Sequence, residues 1–105
     1  MSKKHSLQSL AILLKELFYL LKKYDHSSYN ARQVENILAI IYEEENPKKY
    51  SEIYSCLKGL YFPKAGLSEF YISADQSSDW RMLNQRLAKI SEELEDYEQI
   101  FEKYQ

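Results

Sequence analysis

Leu7, Leu10, Leu14, Leu17, Leu21 and Tyr24 follow one another at steps of three and four residues, the spacing that lines side chains up on one face of an α-helix. Ser6 stands in front of that run as its predicted N-cap. Ala11, Ile12, Leu13, Phe18, Tyr19 and Leu20 widen the apolar stripe, so this first helix needs cover on more than one side and is expected at the centre of a bundle. Asp25-His26-Ser27-Ser28 reads as the turn that follows. A second helix is predicted from about Asn30 to Glu45, with Asn30 and Gln33 as a capping box and Val34, Ile37, Leu38 and Ile41 as its buried stripe. Asn46-Pro47 ends it and can open a third helix, Asn46 as N-cap and Pro47 as first residue, where the missing N–H of proline does no harm. Tyr50, Ile53, Tyr54, Leu57, Leu60 and Tyr61 supply the inner side of that helix.

The pattern then breaks. Residues 59–66 hold both glycines and one of the two prolines of the chain, and no helical period survives from Phe62 to Ser78. Phe70-Tyr71-Ile72 is a short aromatic and β-branched run inside that stretch. A loop this long in a compact domain is usually functional or misassigned, so the run is read as a single turn of helix, a short extended piece or a functional loop. From Ser78 or Asp79 to the C-terminus, Trp80, Leu83, Leu87, Ile90, Leu94, Tyr97, Phe101 and Tyr104 alternate steps of three and four, the repeat that lays a seam against a partner helix. At about 1.5 Å per residue that helix is about 36 Å long, longer than the second and third, so its last turns are expected to overhang and to offer a surface to another subunit.

These elements predict an all-α fold, an antiparallel four-helix bundle with an irregular segment between helices 3 and 4. The chain has 105 residues, 45% of them hydrophobic and 29% charged, with two glycines and two prolines, which suits a single globular domain over residues 1–105. Charge is uneven along it. Lys3, Lys4, Lys15, Lys22 and Lys23 face only Glu16 at the start, whereas Glu92, Glu93, Glu95, Asp96, Glu98 and Glu102 face only Lys103 at the end. The first and fourth helices are therefore expected side by side, although exposed pairs are worth only about 0–1 kcal/mol each.

A net charge of −2 argues against a nucleic-acid partner. The single Cys56 forms no internal disulfide, so a cytoplasmic location is the expectation. Lys15-Glu16 interrupts the apolar run before it approaches the roughly 20 residues that span a bilayer. A membrane-surface role for the first helix, with Lys15, Lys22 and Lys23 toward headgroups, is the less favoured alternative.

Catalytic and metal chemistry finds little support. Asp25-His26-Ser27 has the residue types of a hydrolase triad, but sequence neighbours cannot form the required chain of hydrogen bonds. Cys56 with His5 or His26 would make a thiolate pair, yet Cys56 falls on the helix stripe and reads as a small buried residue. Glu92 and Glu95 lack the Glu-x-x-His partner of di-iron bundles. Asp75, Ser77 and Asp79 lack the glycine and distal glutamate of a calcium loop. Gly59 and Gly66 match no phosphate-binding spacing. The chain is read as a non-enzyme with no cofactor and no metal.

Two features ask for more. Glu43-Glu44-Glu45 sits at the C-terminal end of the second helix, where negative charge opposes the helix dipole. The plainer reading is that the run serves the start of the third helix instead, or is merely solvated. The aromatic load is also high, with ten tyrosines and one tryptophan. Tyrosine joins apolar area to a hydrogen-bonding tip, which interfaces favour. Tyr24, Tyr50, Tyr54, Tyr61, Tyr97 and Tyr104 keep core spacing, while Tyr29, Phe62, Phe70, Tyr71 and Trp80 cluster at the breaks as candidate exposed anchors.

The stretch from Leu57 to Leu94 resembles a small, functionally uncharacterised bacterial family whose members carry a Gly-Leu-Ser-acid-aromatic-aromatic-Ile segment, here Gly66-Leu67-Ser68-Glu69-Phe70-Tyr71-Ile72. An acidic loop and a helix with Arg and Leu-Asn follow in that family, matched here by Asp75, Asp79, Arg81, Leu83 and Asn84. In size and helix order the whole chain is also similar to the enterocin A type bacteriocin immunity proteins, four-helix bundles that protect a producing cell from its own toxin. That resemblance implies an immunity protein that neutralises a bacterial toxin or bacteriocin by direct binding to a protein or peptide partner. The candidate partner-binding surface joins Phe62, Glu69, Phe70, Tyr71, Asp75 and Trp80 to Glu43, Glu44 and Glu45, an aromatic centre with a charged rim. The plainer alternative is that Phe70, Ile72 and Trp80 plug the end of the bundle. The runner-up function is a structural or regulatory adaptor that self-associates through the C-terminal helix, so the chain is expected as a monomer or a homodimer.

Overall fold

The computed structural model describes residues 6–25, 28–60 and 70–104. Among them lie four α-helices, α1 (Leu7–Tyr24), α2 (Tyr29–Tyr42), α3 (Lys49–Gly59) and α4 (Trp80–Glu102), and together they form an all-α four-helix bundle. α1 packs against α2 and α4, and α3 packs against the same two. Start-to-end contacts tie the helices together. The Tyr29 hydroxyl at the start of α2 donates to the Gly59 carbonyl at the end of α3 (3.3 Å). Tyr50 at the start of α3 stacks on Tyr104, just past the end of α4, with ring centroids 4.6 Å apart.

Most of the predicted stripe positions are core, although Leu38, Tyr50, Tyr54 and Leu83 are half-buried and Tyr104, expected in the core, is exposed. Leu10, Leu14, Leu17, Leu21, Val34, Ile37, Ile53, Leu57, Ile90, Leu94 and Phe101 are fully buried. Ser6 caps α1 as its residue type predicts, its hydroxyl accepting from the Ser9 amide at 3.0 Å.

Four expectations need correction. α2 begins at Tyr29 and ends at Tyr42, short of Glu45, and its N-cap Ser28 makes no side-chain cap bond. The expected capping box fails because Asn30 is only 3% exposed: it lies on the inward face of the first turn, and its Oδ1 has no hydrogen-bond partner among the described residues. α3 begins at Lys49 rather than Pro47. Asn46 instead builds a turn before it, accepting from the Lys48 amide (3.0 Å) and donating to the carboxylates of Glu43 (2.9 Å) and Glu52 (3.0 Å). Asp79 occupies the N-cap position of α4 but its side chain bonds no helix amide. The expected overhang of α4 is also absent. Phe101 is fully buried, its ring 5.4 Å from that of Tyr50, so the last turn closes on α3.

α1 and α4 do lie together, but not through the predicted lysine–glutamate attraction. Their ion pair has the opposite polarity: Arg86 of α4 grips Glu16 of α1 with two nitrogens, the Nη2 to Oε1 bond being 2.6 Å. A planar fork matched to a carboxylate fixes geometry, which a mobile lysine does not.

Gly59 is buried in the last turn of α3, and a Cβ built there meets the Tyr29 hydroxyl at 3.6 Å and the Gln33 Oε1 at 3.7 Å, ordinary contact distances. Gly59→Ala is expected to stabilise the fold by about 0.5–1 kcal/mol by reducing backbone freedom in the unfolded chain. Urea denaturation of the two proteins checks this.

Candidate functional site

Of the residues that break the helical pattern, Phe70 to Asp79 are described, and Ile72 is the side chain they bury completely in the bundle. The Ile72 amide donates to the Asn84 Oδ1 at 2.8 Å and its carbonyl accepts from the Asn84 Nδ2 at 2.7 Å. One carboxamide can meet both groups of one residue only when that residue's N–H and C=O point the same way, as in a β-type conformation. Asn84 thus acts as a one-residue strand partner set on the second turn of α4. Gln76 adds a second tie, accepting from the Ser73 amide (3.0 Å) and donating to the Tyr24 carbonyl (2.6 Å), one of the orphan acceptors at the end of α1.

Pinned in this way, the segment divides its aromatic residues between inside and outside. Tyr71 is 71% exposed, while Phe70 and Trp80 are half-buried against the core. The Trp80 ring also lies 5.0 Å from the Arg81 guanidinium. The plug reading therefore holds for Ile72 and in part for Phe70 and Trp80, while Tyr71, expected as an exposed anchor, is exposed.

Beside Tyr71 runs an open groove of about 350 Å³ lined by Phe70, Tyr71, Asn84, Leu87, Ala88, Ser91, Glu92 and Glu95. One wall is aromatic, the base comes from α4, and the far rim is acidic. Glu98 stands one turn further along. Partial burial pushes its carboxyl above the ordinary glutamate value, Lys58 pulls it down, and Glu95 and Glu102 push it up again.

The expected surface is not assembled as one patch. Asp75 and Trp80 sit at the end of the bundle where α1 finishes, with Asp75 exposed. Glu43, Glu44 and Glu45 are exposed beside Lys49 and Tyr50, where α4 finishes. Trp80 and Phe101 mark those two ends, roughly 32 Å apart along α4. Glu43 is the C-cap residue of α2, its amide donating to the Ile40 carbonyl (3.2 Å), and Lys49 donates to the Ile41 carbonyl (3.1 Å) and to that of Glu43, placing a cation on the helix C-terminus where the dipole favours one. The plainer reading of the acidic run is thereby supported at Glu43, whose carboxylate is taken up in the Asn46 turn. Phe62 and Glu69 lie outside the described residues.

Other candidates fall out similarly. Cys56 is half-buried and its thiol is pushed up by burial and then by Glu52, away from the reactive thiolate. His5 and His26, its supposed partners, lie outside the described residues, as do Tyr61 and Ser27. Tyr24 and Tyr97 are buried, Tyr50 and Tyr54 are half-buried, and Tyr104 is exposed. Among the described residues no group of three or more His, Cys, Asp or Glu is placed to hold a metal ion, and no helix is long and apolar enough to cross a membrane.

Sequence reasoning missed Asn84 as the clamp and missed the α4 side of the groove. It named Asn84 only as part of a Leu-Asn pair, although a polar residue beside the seam of an otherwise regular helix was a usable signal. Comparison of the chain with protein-family models, curated proteins and solved structures finds no match.

Asn84→Ala is expected to cost about 1–3 kcal/mol by stripping two backbone groups of their partner, whereas Tyr71→Ala should stay within about 0.5 kcal/mol. Chemical denaturation of the two variants checks the contrast. Glu98→Gln is expected to raise the thermal midpoint at pH 7, because the folded state there holds an ionised, partly desolvated carboxylate. Its folded pKa lies above the ordinary 4.5, so the advantage shrinks as pH falls through that raised value and the wild-type carboxyl takes up a proton. Melts from pH 7 to pH 4 test it.

Proposed function

We propose that the chain is a non-enzymatic protein-binding module, an immunity protein that neutralises a bacterial toxin or bacteriocin peptide by binding it directly, with the groove beside Tyr71 as its contact. The observation that carries this reading is an exposed ring fixed next to a buried anchor. Tyr71 is 71% exposed while Ile72, its neighbour, is fully buried and bonded at both backbone groups. A ring presented from a pinned backbone loses little freedom on binding, and preorganisation of this kind is how a small surface reaches useful affinity. Phe70 lines the same groove, and Glu92 and Glu95 give it a charged rim, the arrangement of an aromatic centre and polar border that binding hot spots show.

The adaptor reading, self-association through α4, has less support. Leu87, Ile90, Leu94, Tyr97 and Phe101 of the supposed seam are buried within the chain itself. Tyr104, which continues it, stacks on Tyr50.

The test is protection. Bacteria sensitive to peptide bacteriocins, made to express the chain, are challenged with a panel of such peptides. Survival against at least one, lost in a Phe70→Ala/Tyr71→Ala variant that accumulates to the same level, is the expected result. Failure to protect against any peptide removes the immunity reading. Sedimentation at low and high concentration decides the adaptor reading, and a single monomeric species is expected.

A further inference from the structure

α1 gives one side to the core and leaves the other bare. Lys15, Tyr19, Lys22 and Lys23 follow at steps of four, three and one, which puts them on one side of the helix, and all four are exposed. Their neighbours from other helices are apolar. Arg86 of α4 holds Glu16, and Gln76 just ahead of α4 reaches the Tyr24 carbonyl. Met82, one turn before Arg86 on the same side, therefore borders the turns of α1 that carry Tyr19 and Lys23. At the other edge the Lys15 ammonium lies 5.3 Å from the centre of the Tyr42 ring, at the end of α2. Tyr19 is 62% exposed, Met82 is 61% exposed, and Tyr42 is exposed as well. Three large apolar side chains thus stand open among three lysines.

The surrounding carboxylates do not cancel that charge. Glu16 is taken up by Arg86, Asp25 has one carboxylate oxygen wholly buried, and Glu35, two turns before Tyr42 on α2, stands one turn from Arg32. The positive face stops past Ile12, where a groove of about 360 Å³ between α1 and α4 is lined by Glu93 and Asp96. A chain of net charge −2 therefore carries a confined basic patch.

Shape and charge together select the occupant. Tyr19, Lys22, Lys23 and Met82 line neither this groove nor the one beside Tyr71, so they project from the helices. Peptide partners are anchored by side chains that enter pockets, whereas a lipid surface receives side chains that project. A second copy docked on the same face would set lysine against lysine. An anionic bilayer offers headgroups to the ammonium groups and, just below them, the boundary where tyrosine collects and from which lysine reaches outward along its stem. Lys15 and Lys23 already lie beside the Tyr42 and Tyr19 rings, at 5.3 and 5.8 Å, so cation and ring would meet such a boundary together.

We propose that the outer face of α1, through Lys15, Tyr19, Lys22 and Lys23 with Tyr42 and Met82 beside them, docks the folded bundle on an anionic lipid surface. The face is separate from the Tyr71 groove, and the docking stands whether or not the chain protects against a toxin.

The full chain is sedimented with vesicles of phosphatidylcholine alone and with vesicles of equal parts phosphatidylcholine and phosphatidylglycerol. Binding to the mixed vesicles only, weakened by added salt, is expected. The Lys15→Gln/Lys22→Gln/Lys23→Gln variant should bind about a hundredfold less tightly, roughly fivefold per lysine. Tyr19→Ser/Met82→Ser should weaken binding several-fold at unchanged charge, and Tyr71→Ala should bind as the wild type does. The residues replaced are exposed, so the thermal midpoints should match that of the wild type. Absence of binding to the mixed vesicles, equal binding to the neutral ones, or full binding by the lysine variant overturns the proposal. Polyglutamate is the competing probe. If it binds as tightly as the mixed vesicles and Tyr19→Ser/Met82→Ser alters neither, the face is one for an acidic protein and the proposal fails.

Discussion

The hold of Asn84 on Ile72 is the interaction on which the functional geometry depends. A buried backbone amide and carbonyl must find partners, and here no strand or helix supplies them, so a single carboxamide on α4 does. The cost of leaving either group unmet is about 1–3 kcal/mol, more than an exposed ion pair contributes, and so the clamp outranks the charge pairing along the chain. With Ile72 seated, Gln76 reaches the end of α1 and gives the segment its second tie.

Helix termini in this chain are satisfied from a distance. Lys49 of α3 covers carbonyls at the end of α2, Gln76 takes the last carbonyl of α1, and the Tyr29 hydroxyl takes the carbonyl of Gly59. Among the described residues only α1 shows a local side-chain cap, from Ser6. The helices are accordingly short of intrinsic end signals and gain them from packing, which is where most helical stability in a folded domain comes from. For that reason the caps expected at Asn30 and Asp79 lack their bonds, and α3 starts at Lys49 rather than at Pro47.

α4 organises the surface as it organises the core. Its inner stripe from Leu87 to Phe101 closes the bundle, while its outer side presents Glu92 and Glu95 to one groove and Glu93 and Asp96 to another. Consecutive residues on a helix point to different sides, so one acidic stretch in the sequence serves two separate clefts. The raised carboxyl of Glu98 reflects the same crowding, in which partial burial adds to repulsion from its neighbours.

The amino-acid sequence by itself determined four helices, their buried stripes and the break between the third and fourth, because apolar spacing and the glycine-proline interruption are local properties that burial rewards wherever the helices finally sit. It also marked Tyr71 and Phe70 as residues to watch. It could not determine that Glu43 to Glu45 lie at the far end of the bundle from Trp80, that Arg86 rather than a lysine joins α4 to α1, or that Ile72 turns inward while Tyr71 turns out. Each of those depends on which groups from distant positions meet, and a backbone donor buried by packing takes whichever acceptor the neighbouring helix brings within about 3 Å.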